Sequence, residues 1–136
     1  MSWIKTIDYQ SADKHLKRIY DRVKGPKDNV DNVLLIHSLR PHSLVGHMTL
    51  YKNVLHNSAN VLPKWYLEAI GIYVSHLNSC DYCFQHHFEG FRGLLNDDVK
   101  AEKFKISIIN EKLEDFIDGP FLKGLYYARK LTLELD

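Results

Sequence analysis

The residues that can do chemistry lie in one stretch of the chain, which contains both of its cysteines. A carboxylate, two thiols and an imidazole follow one another as Glu68, Cys80, Cys83 and His87, separated by eleven, two and three residues. Two thiols at this spacing allow one sulfur to attack a substrate and the other to close an intramolecular disulfide. His87 lies one helical turn beyond Cys83 and can accept its proton, while Glu68 can orient the imidazole. These four are the candidate catalytic residues.

Two helices must position these groups. Asn78 and Ser79 are typical N-cap residues, which favours a helix break before Cys80 over one continuous helix. Both cysteines then lie in the first turn of a new helix, where unpaired N–H groups and the helix dipole stabilise a thiolate and lower the thiol pKa from about 8.5. The preceding helix, residues 63–77, begins with a proline suited to position N1 and presents Glu68.

Helical spacing of apolar residues continues through the N-terminal half. Residues 1–9 are predicted to form an extended arm, and the next helix is predicted to be capped by Ser11 and ended by a Gly-Pro pair at residues 25–26. Pro41 separates a short helix from a longer one that ends at residues 56–57.

The C-terminal half is also predicted to be helical. The cysteine helix continues to Leu95, and residues 96–98 stop it and cap the next one. Residues 97–110 contain isoleucines that suit a strand, but the context favours a helix. A break at residues 119–120 precedes a last helix that frays towards Asp136. The fold class is therefore all-α, with about seven helices in a single domain, residues 1–136.

Composition excludes several classes of function. The net charge is +1 and the basic residues form no run, so nucleic-acid binding is not expected. The chain has neither a signal-like start nor an apolar stretch of about 18 residues, so no membrane span is expected. We expect a cytoplasmic protein, where a pair of nearby cysteines indicates redox or metal chemistry rather than a structural disulfide.

The pattern Glu68-x11-Cys80-x2-Cys83-x3-His87 resembles the signature of the alkylhydroperoxidase D (AhpD)-like, carboxymuconolactone decarboxylase superfamily. The wording VSHLNSCDYCFQHH is similar to its peroxidase-related members. The resemblance implies an AhpD-like multi-helix bundle that forms a homo-oligomer, a trimer or hexamer, and reduces hydroperoxides without a cofactor. It also implies that Cys83 attacks the peroxide, Cys80 resolves, His87 is the base and Glu68 the proton-relay acid, with a dithiol or protein as reductant.

Two features depart from the family pattern. Tyr82 lies between the cysteines, where the best-studied peroxidases of the family carry a histidine. Similar chains continue past a segment like YARKLTLELD, residues 127–136, into one or two further helices. The resemblance therefore implies a bundle that is shortened at its C-terminus.

Other interpretations of the same residues stay open. The pair suits a protein dithiol–disulfide oxidoreductase or a redox sensor, and it is also compatible with two inert buried thiols. His76, Cys80, Cys83 and His87 have the residue types of a Cys2His2 zinc site, although such sites usually draw ligands from two separated arms. Several histidines are predicted to be structural or exposed: His15, His37, His42, His47, His56 and His86. The neighbouring aromatic residues are predicted to lie in the core or at a subunit interface: Phe84, Phe88, Phe91, Tyr126 and Tyr127.

Overall fold

A computed structural model describes residues 3–25 and 27–134. Within these ranges the regular structure is entirely helical, which confirms the all-α class and the expected number of helices. The helices are α1 (Lys14–Tyr20), α2 (Asn32–Leu35), α3 (Pro41–Leu55), α4 (Lys64–Leu77), α5 (Asp81–Leu95), α6 (Asp98–Ile109) and α7 (Gly119–Leu133), with a 3-10 turn at Leu113–Asp115.

The chain divides into two compact units, Met1–Asn57 and Ser58–Asp136. The first contains α1 to α3 and the second α4 to α7. The single-domain interpretation of the sequence stays a prediction beside this division. None of the helices in the described part of the chain combines the length and apolar character needed to span a bilayer.

In the first unit, α1 begins two residues later than the sequence suggested. Its N-cap is Asp13, whose carboxylate accepts a hydrogen bond from the Leu16 N–H at 2.7 Å. The predicted cap, Ser11, was wrong: its own N–H donates to the Asp8 carboxylate in a preceding turn. Asp13 caps the helix in place of Ser11, because both residue types can accept hydrogen bonds from the exposed N–H groups of the first turn.

Residues 3–9, the described part of the predicted N-terminal arm, have no helix or strand and belong to the first unit. The Tyr20 hydroxyl donates to the Ile7 carbonyl at 2.7 Å, and the Ile7 N–H donates to the Ser38 hydroxyl at 2.9 Å. Helix α1, which follows the arm, ends at Tyr20. This end comes earlier than the predicted Gly25-Pro26 break, and Pro26 lies outside the described residues. The predicted helix start at Pro41 is confirmed.

The second unit is built around α4, which packs against α5 and α7, while α6 packs against α5. Phe91 is fully buried and its ring lies 4.7 Å from that of Phe104, measured between centroids. Tyr126 and Tyr127 are exposed, so they are not core residues. The buried apolar residues of this unit are Tyr66, Ala69, Ile72, Tyr73, Phe84, Phe88, Phe91, Ala101, Phe104, Ile108, Leu113, Ile117 and Leu125.

The ambiguous segment at residues 98–109 is a helix, as the context favoured. Phe104 and Ile108 are buried one turn apart, whereas Ile106 and Ile109 are exposed. This burial follows the 3.6-residue period of a helix and not the alternation of a strand. Tertiary packing of one face therefore decides a segment whose isoleucines suit either structure.

Candidate functional site

The predicted break between the two helices of the motif is confirmed, and a C-terminal cap of α4 makes it. Ser79 has a φ of +53°, the left-handed conformation that usually follows a helix. Its N–H donates to the His76 carbonyl at 3.0 Å, and the Cys80 N–H donates to the Ser75 carbonyl at 2.9 Å. This pair of bonds is the Schellman motif, and it attaches the backbone of Cys80 to the last turn of α4.

Cys80 is itself the N-cap of α5, which corrects the assignment of that role to Asn78 and Ser79. Its sulfur accepts a hydrogen bond from the Cys83 N–H at 3.3 Å. The Cα atoms of the two cysteines are 5.3 Å apart, and their sulfurs are joined in a disulfide. Both side chains are partly exposed. The structure therefore shows the pair in its oxidised state, at a helix N-terminus where a thiolate would be stabilised after reduction.

The structure also brings Glu68 and His87 together. Glu68 lies on α4 and is only 7% exposed, and its Oε2 is 2.7 Å from Nδ1 of His87 on α5. An ionised carboxylate can only accept, so Nδ1 carries the hydrogen and Nε2 is left as the nitrogen that can take up another proton. The two residues thus have the geometry of a histidine base oriented by a glutamate.

Two glycines that the sequence interpretation missed allow this close contact. A Cβ atom at Gly71 would lie 2.6–2.7 Å from ring atoms of His87, and one at Gly90 would lie 3.1–3.3 Å from the Glu68 carboxyl group. Each glycine follows one member of the pair by three residues and faces the other member. A signal was present in the sequence, because an isolated glycine inside a helix often marks a close approach. The repeated spacing from Glu68 to Gly71 and from His87 to Gly90 could have identified both.

A cavity of about 230 Å³ lies at the start of α5. Its lining residues are Ser75, His76, Ser79, Cys80, Asp81 and Phe84. The lining thus includes one cysteine of the disulfide, a histidine and an exposed aspartate. Ser75 is buried on α4, and its hydroxyl donates to the Gly71 carbonyl one turn earlier on the same helix at 2.6 Å. This wall of the cavity is therefore part of α4. No sequence signal pointed to a cavity here, because its walls come from two helices.

Tyr82 and His86 lie on the exposed side of α5, beside the disulfide. Their rings are 5.6 Å apart between centroids, and Tyr82 is 42% exposed. The tyrosine between the two cysteines is thus presented at the surface.

The four residues that have the types of a Cys2His2 zinc site are not arranged to bind a metal ion together. Nδ1 of His87 is bound to Glu68, and the sulfurs of Cys80 and Cys83 are bound to each other. Among residues 3–25 and 27–134, no group of three or more histidine, cysteine, aspartate or glutamate side chains is arranged to hold a metal ion.

Comparison of the chain with protein-family models, with curated proteins and with solved structures gives no match. The resemblance to the AhpD-like superfamily therefore rests on the four-residue pattern and stays a prediction.

Proposed function

We propose that this protein is a thiol-dependent hydroperoxide reductase of the AhpD-like type, with Cys83 as the attacking thiol and Cys80 as the resolving thiol. The observation that carries the proposal is the 2.7 Å contact between the buried Glu68 and His87, one turn from Cys83 on the same helix. Inert buried thiols need no such neighbours, whereas reactive thiols do. The reaction consumes a dithiol, which fits the cytoplasmic location expected from the sequence.

In the first step the Cys83 thiolate attacks one oxygen of the hydroperoxide. His87 takes the thiol proton and returns a proton to the departing oxygen, so the O–O bond breaks, an alcohol leaves and Cys83 becomes a sulfenic acid. Glu68 holds the imidazole in place and stabilises its charged form while it carries the proton.

In the second step the Cys80 thiol attacks the sulfur of the Cys83 sulfenic acid. A disulfide forms, and the oxygen leaves as water with the proton of Cys80. The Cα separation of 5.3 Å lies in the range that a disulfide requires, so this closure needs no large backbone movement. A dithiol then reduces the disulfide and completes the cycle.

The test is consumption of an organic hydroperoxide by the reduced protein, with dithiothreitol as the reductant. We expect turnover in the wild type and loss to background in Cys83→Ser, because no second thiol is poised beside His87. Free thiols counted before and after one equivalent of hydroperoxide should fall from two to none in the wild type. Wild-type turnover that survives in Cys83→Ser would overturn the assignment of the nucleophile.

A matched pair of glutamates tests the relay. Glu68→Gln should lower turnover about 10- to 100-fold, since a neutral amide no longer stabilises the charged imidazole. Glu89→Gln is the control, because Glu89 is an exposed glutamate on α5 whose partner is Arg92. Equal activity of the two variants would contradict the relay.

A second candidate function is a protein dithiol–disulfide oxidoreductase or redox sensor. The exposed Tyr82 between the cysteines favours it, because an aromatic side chain beside an accessible disulfide is a typical contact for a partner protein. Rapid disulfide exchange with a protein substrate, in the absence of hydroperoxide turnover, would select this function over the first.

We also propose that the protein is a homo-oligomer, a trimer or hexamer as the family resemblance implies. The exposed apolar side chains of α7, Tyr126, Tyr127 and Leu131, support an interface. Light scattering coupled to size exclusion measures the state directly.

A further inference from the structure

The cavity at the start of α5 is adjacent to one of the two cysteines. Its lining includes Cys80 but not Cys83. Cys83 instead lies one turn before His87 on α5, with Glu68 behind that imidazole. The two cysteines therefore have different surroundings: Cys80 lines a space of about 230 Å³, and Cys83 precedes a proton-carrying residue.

Which sulfur of a disulfide is attacked depends on access and on the fate of the departing thiolate. Access favours Cys80, because Cys80 lines the cavity and Cys83 does not. The departing sulfur is then Cys83, and His87 can supply the proton that this thiolate takes up. The hydrogen bond from the Cys83 N–H to the Cys80 sulfur acts in the opposite sense, since it would stabilise Cys80 as the leaving thiolate. The cavity decides between the two, because a thiol that docks in it lies against Cys80.

We propose that this cavity is the docking site of the reductant, and that an uncharged dithiol attacks the sulfur of Cys80 within it. This inference rests on the proposed function, in which a dithiol reduces the Cys80–Cys83 disulfide. It adds the place of attack, the sulfur that is attacked and the charge of the preferred reductant.

The step balances as two exchanges. His76 accepts the proton of the first thiol, whose sulfur bonds to Cys80 while the Cys80–Cys83 bond breaks and Cys83 leaves as a thiolate that His87 protonates. The second thiol of the reductant then attacks the reductant's first sulfur, which is bound to Cys80, so the Cys80 thiolate is released and the reductant leaves as a disulfide. The proton of the second thiol goes to Cys80, and the proton held by His76 passes through solvent to His87, which had given one to Cys83. The protein gains two electrons and two protons, and the dithiol loses them.

The charge in the cavity sets the preference for an uncharged reductant. Asp81 is exposed and lies in the lining, beside the sulfur that is attacked. A carboxylate there repels an anionic thiol compound and leaves a neutral one unaffected. The cavity volume admits a narrow thiol-bearing molecule and excludes a folded protein surface from direct entry.

The experiment runs the second exchange in reverse, with each cysteine alone. Cys83→Ser leaves Cys80 as the only thiol, and Cys80→Ser leaves Cys83. Each variant is mixed with the neutral probe bis(2-hydroxyethyl) disulfide, and the mixed disulfide is followed by mass spectrometry. After division by the thiolate fraction, measured from absorbance at 240 nm, we expect Cys80 to react about tenfold faster. A rate for Cys83 that equals or exceeds that of Cys80 would overturn the proposal.

A charged probe tests the cavity itself. Dithiodiglycolate is an anionic disulfide of similar size, and Asp81→Asn should speed its reaction with Cys80 about threefold without changing the reaction of the neutral probe. Asp98→Asn is the matched control, because Asp98 occupies the same first helical position in α6. If both substitutions have the same effect on the anionic probe, the cavity is not the docking site.

Two further measurements keep the outcome interpretable. If a single-cysteine variant fails to fold, oxidised wild type is treated with 2-mercaptoethanol, quenched with acid and mapped by peptide mass spectrometry, and the adduct is expected on Cys80. Loss of thiols on addition of hydroperoxide is measured separately on reduced wild type. Absence of that loss defeats the proposed peroxidase and leaves the exchange result standing, whereas an adduct on Cys83 defeats only the docking site.

Discussion

At each end of helix α5 a residue in the left-handed region is followed by an N-cap residue, but different atoms cap the helices at the two ends. At the start, Ser79 has a left-handed φ of +53° and Cys80 caps α5. At the end, Asn96 has a left-handed φ of +50° and Asp97 caps α6, its carboxylate accepting from the Lys100 N–H at 2.9 Å. One helix is thus capped by a sulfur and the next by an oxygen.

The difference separates a junction built for stability from one that carries reactive groups. Asn in the left-handed region and Asp as an N-cap are both preferred residue types. Ser in the left-handed region and Cys as an N-cap are not, and the sulfur that caps α5 is a weaker acceptor than a carboxylate oxygen. Residues that break local preferences while the fold persists are expected at functional sites. The α4–α5 junction is therefore capped less favourably than the α5–α6 junction, and it carries the pair of thiols.

The largest effect is expected where α4 and α5 approach most closely. Gly71→Ala should destabilise the protein by about 1–3 kcal/mol, because the new methyl group overlaps the His87 ring and must displace it. Turnover should fall as well, since the displaced imidazole loses its contact with Glu68. Urea unfolding measures the first effect, and hydroperoxide consumption measures the second.

Gly93→Ala is the control for this substitution. Gly93 lies on α5 with nothing within 4 Å of its added Cβ, so alanine should stabilise the helix by about 0.5–1 kcal/mol. A loss of stability in Gly93→Ala similar to that in Gly71→Ala would show that the close approach is not the cause.

The helices of this site could be predicted from the sequence more completely than the contacts between them. Both helices, the break between them and the four candidate residues follow from local signals: Pro63, the polar pair before Cys80, and the spacing of Glu68 and His87. The contact of Glu68 with His87 was inferred only from the motif. Gly71, Gly90 and the cavity lining depend on the distance between two packed helices, which no local pattern encodes. For the same reason, the sequence predicts Ser11 as the α1 cap where the structure has Asp13. Both residues are able to cap a helix, and only packing selects one of them.

A second prediction exchanges the capping atoms. Cys80→Asp gives α5 the carboxylate cap that α6 has, and should stabilise the protein by about 1 kcal/mol relative to reduced wild type. It should also abolish turnover, because the resolving thiol is gone. Asp97→Ala should cost about the same free energy at the other junction and leave turnover unchanged. If Cys80→Asp is less stable than reduced wild type, the sulfur contributes more than a poor cap and the comparison fails.

The smallest effect concerns the left-handed residues themselves. Ser79→Gly should raise the free energy of unfolding by about 0.5–1 kcal/mol, because glycine adopts a positive φ without a Cβ clash but has more freedom to lose on folding. Asn96→Gly should gain less, since asparagine already tolerates this region. Thermal unfolding of the two variants gives the comparison directly. A net loss in Ser79→Gly alone would mean that the serine hydroxyl supports the wall of the cavity beside Cys80, because the backbone change by itself favours glycine.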